Sequence, residues 1–180
     1  MNVLVNAGVL LRSLSVEDAP ELFELIDRNR EHLGQWLPWV SATVTEGDSV
    51  QFLQYVQSVE AKGTELHLGI VQEDHLIGLI GLRINTPNRL ANIGYWMAQS
   101  ETGQGIMTRS VRALCVYAFD SLMLERLELR AATENQASWS IAERLGFTCE
   151  GHLRHCECIE GRFVDHYLYS LLQSDPIDWR

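Results

Sequence analysis

The chain has 180 residues, of which 46% are hydrophobic and 21% are charged, which is enough for one well-buried core and too little for two. Its formal net charge of −10 excludes a surface built to neutralise phosphates, because nucleic-acid binding relies on clustered lysine and arginine. The amino terminus has no basic segment before its apolar run and no window approaches the ~20 apolar residues of a membrane span, so we expect a single cytoplasmic domain over residues 1–180 without a nucleic-acid or membrane partner.

The first half of the chain predicts a strand, two helices and a hairpin. Apolar residues recur at the i, i+3, i+4, i+7 spacing of one helix face in two segments, and an irregular stretch from Leu33 to Gly47 separates them. Alternating apolar residues before a turn at Gln72 to His75 and a nearly continuous apolar run after it predict the hairpin. In chain order the elements are a strand near Val9 to Leu14, helices around Ala19 to Ile26 and Ser49 to Ala61, and strands from Leu66 to Ile70 and Leu76 to Ile84.

The second half predicts strands that alternate with two helices and end in another hairpin. In chain order these are a strand from Leu90 to Ala98, a helix from Ile106 to Phe119, a strand from Leu127 to Ala131, a helix from Asn135 to Leu145, and strands from Phe147 to Ile159 and Phe163 to Leu172. The order βααβββαβαββ predicts one mixed, mostly antiparallel α/β sheet with helices on both faces. The strands on either side of the Ile106 to Phe119 helix should be parallel neighbours.

The stretch GYWMAQSETGQGIMT, residues 94–108, predicts a strand that runs into a glycine-bearing turn and then a helix. Gly103 and Gly105 allow close approach of a ligand, and the first backbone N–H groups of the helix carry the positive end of its dipole. This geometry suits a phosphate or pyrophosphate. The stretch has no third glycine for a dinucleotide fingerprint and no Gly-Lys-Ser/Thr for a P-loop, so NAD binding and nucleotide hydrolysis lack their supporting residues. The alternative to an anion site is that the two glycines only form a tight turn.

The segment QSETGQGIMTRSV resembles the acetyl-CoA pyrophosphate loop of the GNAT acetyltransferase superfamily, whose pattern is Gln/Arg-x-x-Gly-x-Gly/Ala. Gly105 matches this pattern, whereas Thr102 replaces Gln or Arg and Met107 replaces Gly or Ala. The segments IGYW, AATENQASWSIAERLGFTCEG, EGRFVDHYLYSLL and HLGQWLPWV are similar to the RimJ/RimL branch, the ribosomal-protein N-terminal acetyltransferases. The resemblance implies a GNAT fold with a splayed parallel strand pair and an acetyl-CoA-dependent N-acetyltransferase.

The resemblance also implies where the cofactor binds. The strand before the loop would offer free backbone groups to the pantetheine arm, and a backbone N–H near Met97 would stabilise the oxyanion. Core packing alone is the alternative for the side chains of this strand, and an N-cap role is the alternative for Asn135. The implied cofactor-binding residues are Tyr95, Trp96, Met97, Gly103, Gln104, Gly105, Ile106, Met107, Thr108, Asn135 and Ser138.

Two residues resemble the catalytic pair of the RimL branch. Ser138 would protonate the departing thiolate, and Glu157 would act as general base. A structural serine and a surface glutamate are the alternatives. An α-amine with a pKa near ~7.8 is about one-quarter neutral at cytosolic pH, whereas a lysine near ~10.4 is neutral roughly once in a thousand, so a modest base suits a protein N-terminus better.

Several further side chains are candidates for binding. Trp36 and Trp39 could line the acceptor pocket or only pin their loop to the core. Arg109 and Arg112 could reach the nucleotide phosphates, although exposed helix arginines are usually only solvated. A homodimer is consistent with the RimL resemblance.

Three of the four cysteines fall within ten positions, a spacing that favours free thiols over a disulfide framework. Strand alternation would place His152, Cys156 and Cys158 on one face, and Cys149 and His155 on the other. We therefore expect no metal site.

Two other functions remain open at this level. One is acetylation of a small amine, such as a polyamine or an amine-bearing antibiotic, which the negative charge of the protein could attract. The other is a non-catalytic acyl-CoA-binding module, which the departures at Thr102 and Met107 would allow. Release of free thiol from acetyl-CoA in the presence of peptides or polyamines distinguishes the three functions.

Overall fold

The computed structural model describes residues 2–6 and 8–177. One eight-stranded sheet runs through these residues in the order β1-β2-β3-β4-β5-β6-β8-β7. All neighbouring strands are antiparallel except β5 and β6, as the sequence predicts. The strands are β1 Asn2–Asn6, β2 Val9–Ser13, β3 Glu65–Gln72, β4 His75–Asn85, β5 Leu90–Met97, β6 Arg126–Ala132, β7 Thr148–Ile159 and β8 Arg162–Leu172.

Helices cover both faces of the sheet, so the core of the domain consists of two hydrophobic clusters, one on each face. Helices α1 to α3 bury one cluster against β3 and β4, and we call this side the α1–α3 face. Helices α4 and α5 bury a larger cluster on the opposite side, the α4–α5 face. None of the helices in residues 2–6 and 8–177 has the length and apolar character that crossing a bilayer requires. The helices are α1 Ala19–Arg28, α2 Arg30–Gly34, α3 Glu46–Ala61, α4 Ile106–Asp120 and α5 Gln136–Arg144.

The structure adds two elements that the sequence did not predict. Strand β1 pairs with β2, but it is an edge strand whose Leu4 is 73% exposed, so its residues show no buried face. Helix α2 has only five residues and buries only Leu33, too little for a periodic signal. Helix α3 begins at Glu46 rather than near Ser49, because the Asp48 carboxylate accepts hydrogen bonds from the backbone N–H groups just before the helix.

Strands β5 and β6 stop pairing about halfway along their length. Their parallel pairing covers only Leu90–Ile93 and Arg126–Leu129. Beyond that point β5 remains paired with β4 as far as Met97, and β6 remains paired with β8 as far as Ala132. The predicted splayed pair is therefore present, and we call the opening between residues 94–97 and 130–132 the splay.

Candidate active site

The loop after β5 is shaped to expose backbone N–H groups. Gly103 and Gly105 have φ angles of +76° and +72°, in the left-handed region that glycine tolerates best. The first backbone hydrogen bond of α4 runs from Arg109 N to Gly105 O, and no side chain caps the helix. The N–H groups at the start of α4 are thus available to an anion, with the helix dipole behind them.

Side chains hold this loop in place from behind. Thr102 Oγ1 donates to Gln99 O at 2.7 Å, and Arg109 Nη1 donates to Gln104 O at 3.1 Å. Ile106 and Met107 bury their side chains in the core, so only their backbones can face a ligand. Thr108 Oγ1 accepts a hydrogen bond from Arg144 Nη1 at 3.1 Å, which ties the first turn of α4 to α5.

The splay leaves backbone donors of β5 without a strand partner. Ala98 N donates to Ile77 O of β4 at 2.8 Å. Because successive N–H groups of a strand point to opposite edges, those of Met97 and Tyr95 point towards the splay. No strand pairs with β5 on that side beyond Ile93 in the described part of the chain. The expected oxyanion donor at Met97 therefore lies at a position where a thioester in the splay could use it.

Tyr95 and Ser138 meet on the α4–α5 face. The Tyr95 hydroxyl lies 3.0 Å from Ser138 Oγ and 3.1 Å from Ser138 O. Asn135 caps α5, since its Oδ1 accepts a hydrogen bond from Ser138 N at 3.1 Å. Burial raises the pKa of Tyr95 to about 12, although the hydrogen bond with Ser138 opposes this shift. The tyrosine therefore stays protonated at neutral pH, beside the serine predicted to protonate the thiolate.

Glu157 lies on the other face of the sheet. It stands opposite Val164 in β8, and its Oε2 is 3.2 Å from His166 Nε2. This is an ion-pair distance, but the hydrogen-bond geometry is poor and His166 Nε2 has no hydrogen-bond partner within the described residues. His166 pairs with Ala132 of β6. Because Ala131 belongs to the α4–α5 core, Ala132, His166 and Glu157 point to the α1–α3 face.

A β-bulge fixes where Glu157 points. The register of β7 shifts between Leu153 and Glu157, and His155 has a φ of +48°. Asp165 stabilises this bulge: its Oδ1 accepts from His155 N at 2.8 Å and its Oδ2 lies 2.8 Å from His152 Nε2. The hydrogen bond from His155 N is the main reason that the pKa of Asp165 lies below its usual value.

The same register shifts correct the expected face of Cys149. A second shift between Cys149 and Gly151 places Cys149 opposite Tyr169 and His152 opposite Tyr167. Cys149 and His152 therefore share a face, whereas simple alternation separated them. In residues 2–6 and 8–177 no three His, Cys, Asp or Glu side chains are arranged to hold a metal ion, and the four cysteines are free thiols.

A cavity of about 500 Å³ opens on the α1–α3 face beside the splay. It is bounded by α1, α3, the turn Pro38–Ala42 and strands β3 to β5. Trp39 and Trp96 form part of its wall with ring centroids 5.9 Å apart. Trp36 is not among the lining residues, so the structure brings only one of the two predicted tryptophans to the cavity.

Comparison with known proteins identifies the family. The family model described as acetyltransferase (GNAT) domain matches residues 9–148. The chain belongs to the GNAT acetyltransferase family. YdaF of Bacillus subtilis (strain 168) is 35% identical over 175 residues, which cover 95% of this chain and 94% of YdaF. The ribosomal-protein-serine acetyltransferase of Escherichia coli (strain K12) is 31% identical over 169 residues, 93% of this chain and 94% of that enzyme.

Solved GNAT structures share the fold over the full sheet. RimL, a ribosomal L7/L12 alpha-N-protein acetyltransferase in complex with coenzyme A, superposes with a TM-score of 0.92 at 28% identity, covering 96% of this chain and 98% of RimL. Membership of the GNAT family confirms the predicted fold, the acetyltransferase class and acetyl-CoA as acyl donor. The roles of individual residues remain predictions.

Sequence reasoning missed several residues of this region. The Tyr95 hydroxyl, His166 beside Glu157, and Ser49, Glu65 and His67 in the cavity all take their places through contacts between distant elements. A phenylalanine or leucine at position 95 would give the same burial pattern in the sequence. Only an expectation that a buried tyrosine hydroxyl needs a partner could have indicated its role.

Proposed function

We propose that this protein transfers the acetyl group of acetyl-CoA directly to the N-terminal α-amine of a protein, and that the acceptor is a ribosomal protein. One observation carries the proposal: the splay opens to both faces of the sheet, with Ser138 on one face and Glu157 and the cavity on the other. A thioester in the splay would thus be reachable by an acid from one side and by an amine and a base from the other.

The chain supplies three groups to this reaction. Glu157 takes a proton from the ammonium, directly or through water, so that the neutral nitrogen can attack the thioester carbonyl. The backbone N–H of Met97 stabilises the oxyanion as the carbon–nitrogen bond forms. When the carbon–sulfur bond breaks, the hydroxyl pair of Ser138 and Tyr95 delivers a proton to the thiolate, and the second proton that the nitrogen loses as the amide forms passes through solvent to restore that pair.

The remaining cofactor contacts follow the same geometry. Gly103 to Thr108 hold the pyrophosphate through backbone N–H groups, and Asn135 and Ser138 face the pantetheine at the start of α5. The Tyr95 and Met97 backbones bind along the splay. Trp96 has its side chain on the α1–α3 face and its backbone N–H directed at β4, so it contributes its ring to the cavity rather than backbone to the cofactor.

The acceptor class is supported by chemistry and by the relatives. At cytosolic pH a far larger fraction of protein α-amines than of lysine side chains is neutral. One partly exposed carboxylate, Glu157, is therefore a sufficient base. The names of the E. coli relative and of RimL describe acetylation of ribosomal proteins. The acidity of this chain, with a net charge of −10, favours a free ribosomal protein over the phosphate-rich assembled particle as substrate.

Four further features belong to this proposal. We place the enzyme in the bacterial cytoplasm, where acetyl-CoA and nascent ribosomal proteins occur together. We expect a homodimer that binds no nucleic acid. We also expect the 180 residues to form one domain, since a single sheet runs from β1 to β7.

The test measures thiol release from acetyl-CoA with three acceptor panels: peptides carrying ribosomal-protein N-termini, the same peptides with a blocked α-amine and an internal lysine, and polyamines. We expect release only with free α-amines. Calorimetry with coenzyme A checks donor binding independently. Binding without turnover on any acceptor would overturn the enzymatic proposal, and equal rates with the blocked peptides or the polyamines would overturn the proposed acceptor.

A further inference from the structure

The cavity on the α1–α3 face has a floor without side chains where it meets the splay. Gly81 of β4 lies opposite Gly94 of β5. Gly94 follows directly after Ile93, the last residue of β5 that pairs with β6. A Cβ at Gly94 would meet nothing within 4 Å, so this stretch of the floor is open space. The cavity therefore reaches the splay at the point where a thioester would lie.

The walls of the cavity are mostly apolar and aromatic. Phe52 of α3 stands edge-on to His67 of β3 with ring centroids 5.7 Å apart, and Leu22 and Ile26 of α1 also line the cavity. A volume of about 500 Å³ lies within the roughly 300–1,000 Å³ that small-ligand sites occupy. Such walls favour an uncharged occupant, because an ammonium would lose its hydration without gaining a partner.

The carboxylates in the wall are already engaged. Glu65 Oε1 accepts from the Tyr55 hydroxyl at 2.8 Å, and its Oε2 lies 2.7 Å from His67 Nε2. Arg83 Nε is 3.5 Å from the same carboxylate. Asp48 accepts from two backbone N–H groups and the hydroxyl of the residue at the helix start. Glu65, which has both oxygens engaged, is therefore not left to hold a second amine. Asp48 uses only Oδ2, so the comparison with polyamine substrates below decides whether its other oxygen receives one.

Ser49 is the polar group in the wall that lacks a partner. The residue is 1% exposed, and its Oγ has no hydrogen-bond partner within the described residues. A buried hydroxyl normally finds a partner in the protein, and in a helix the carbonyl four residues earlier is the usual one. A bound molecule with a hydrogen-bond donor or acceptor at this point would give the Ser49 hydroxyl its missing partner.

We propose that this cavity binds the first residue of the acceptor peptide as an uncharged side chain, and that Ser49 Oγ forms a hydrogen bond with that side chain. This inference rests on the proposed function, since it takes the thioester to lie in the splay. The α-amine would sit over Gly94, and the side chain of the first residue would extend between Phe52 and Trp39 towards Ser49.

A double-mutant cycle tests the hydrogen bond. Ser49→Ala and wild type are assayed with two peptides that differ only in beginning with serine or alanine. We expect the substitution to lower kcat/KM about tenfold for the serine peptide and to leave it unchanged for the alanine peptide. The KM for acetyl-CoA should not change. Because the hydroxyl has no partner in the protein, the melting temperature should not fall, which separates this role from a structural one.

Gly94→Val tests the position of the cavity independently of Ser49. Its side chain would project into open space beside the splay, so we expect the peptide KM to rise at least tenfold with an unchanged Kd for coenzyme A. Gly151→Val is the matched control, because Gly151 is a strand glycine outside the cavity whose added Cβ also meets nothing within 4 Å.

The outcomes are distinct from those of the proposed function. If no acceptor is acetylated, the proposed function fails. If peptides are acetylated and both variants match wild type and control, the cavity does not bind the acceptor and this inference alone is overturned. If polyamines are acetylated and the two variants impair that reaction, the cavity binds the acceptor but its occupant is not a peptide, which also overturns the inference.

Discussion

The hydroxyl oxygen of Tyr95 lies 3.0 Å from Ser138 Oγ and 3.1 Å from Ser138 O. A tyrosine hydroxyl has one proton, so it can donate to only one of these oxygens. If the proton goes to the carbonyl, the serine must donate its own proton to the tyrosine. If it goes to Oγ, the serine proton is free for another acceptor. Switching between the two arrangements would let Tyr95 replenish the proton that Ser138 gives up.

We predict that Ser138→Ala lowers kcat about 10²-fold and that Tyr95→Phe lowers it about tenfold. The double variant should be no slower than Ser138→Ala, because both hydroxyls serve one proton transfer. Steady-state kinetics gives the rates, and calorimetry should show a nearly unchanged Kd for acetyl-CoA. Additive losses in the double variant would mean that the two hydroxyls act independently.

Glu157→Gln should lower kcat/KM for a peptide about 10²-fold at neutral pH. The defect should shrink as pH rises through the pKa of the acceptor α-amine, near ~7.8, because solvent then supplies the neutral amine. A pH–rate profile from about pH 6 to 9 measures this change. Glu160→Gln, on the exposed turn between β7 and β8, is the control and should match wild type. A defect that is constant with pH would contradict the role as base.

Gly105→Ala should weaken acetyl-CoA binding more than Gly103→Ala. Both glycines have positive φ angles, so both substitutions carry a similar backbone strain of about 1 kcal/mol. Only at Gly105 would the added Cβ approach Arg109 Nη1, at 3.0 Å, and displace the guanidinium that donates to Gln104 O. Calorimetric Kd values for coenzyme A compare the two. Equal losses would show that Arg109 does not shape the loop.

Acid unfolding should depend on Glu150. Hydrogen bonds from Arg126, then from Ser170, lower the pKa of Glu150 to about 2 from its usual 4.5. A carboxyl with a depressed folded-state pKa stabilises the fold above its unfolded-state pKa and loses that contribution as pH falls from about 4.5 to about 2. Glu150→Gln should therefore lower the melting temperature at pH 6 and converge with wild type near pH 2. Because the side chain is 37% exposed, the effect should be small and should decrease with added salt.

The sequence predicted the parts of the site that depend on local chemistry. The positive φ angles of Gly103 and Gly105 and the Asn135 cap follow from what these residue types do at turns and helix starts. The parallel β5–β6 pair follows from a strand–helix–strand order that has one favoured hand. Each of these features is decided within a few residues or by connectivity.

The remainder depends on contacts between elements. The bulge that orients Glu157 needs Asp165 of the neighbouring strand, and alternation within β7 alone placed Cys149 on the wrong face relative to His152. The Ser49 hydroxyl is notable only because the folded chain surrounds it without a partner. Trp36 and Trp39 look equivalent in the sequence, yet the turn at Pro38–Ala42 brings only Trp39 to the cavity.

The early end of the β5–β6 pairing has a kinetic consequence. A continuous sheet separates its two faces, but here β5 and β6 do not pair beyond Ile93, which leaves an opening between the faces. Acetyl-CoA and the acceptor would then bind from opposite faces of the sheet, so both can be bound at the same time. Initial-rate plots with both substrates varied should give intersecting lines, the pattern of a ternary complex, and the two products should be able to depart in either order.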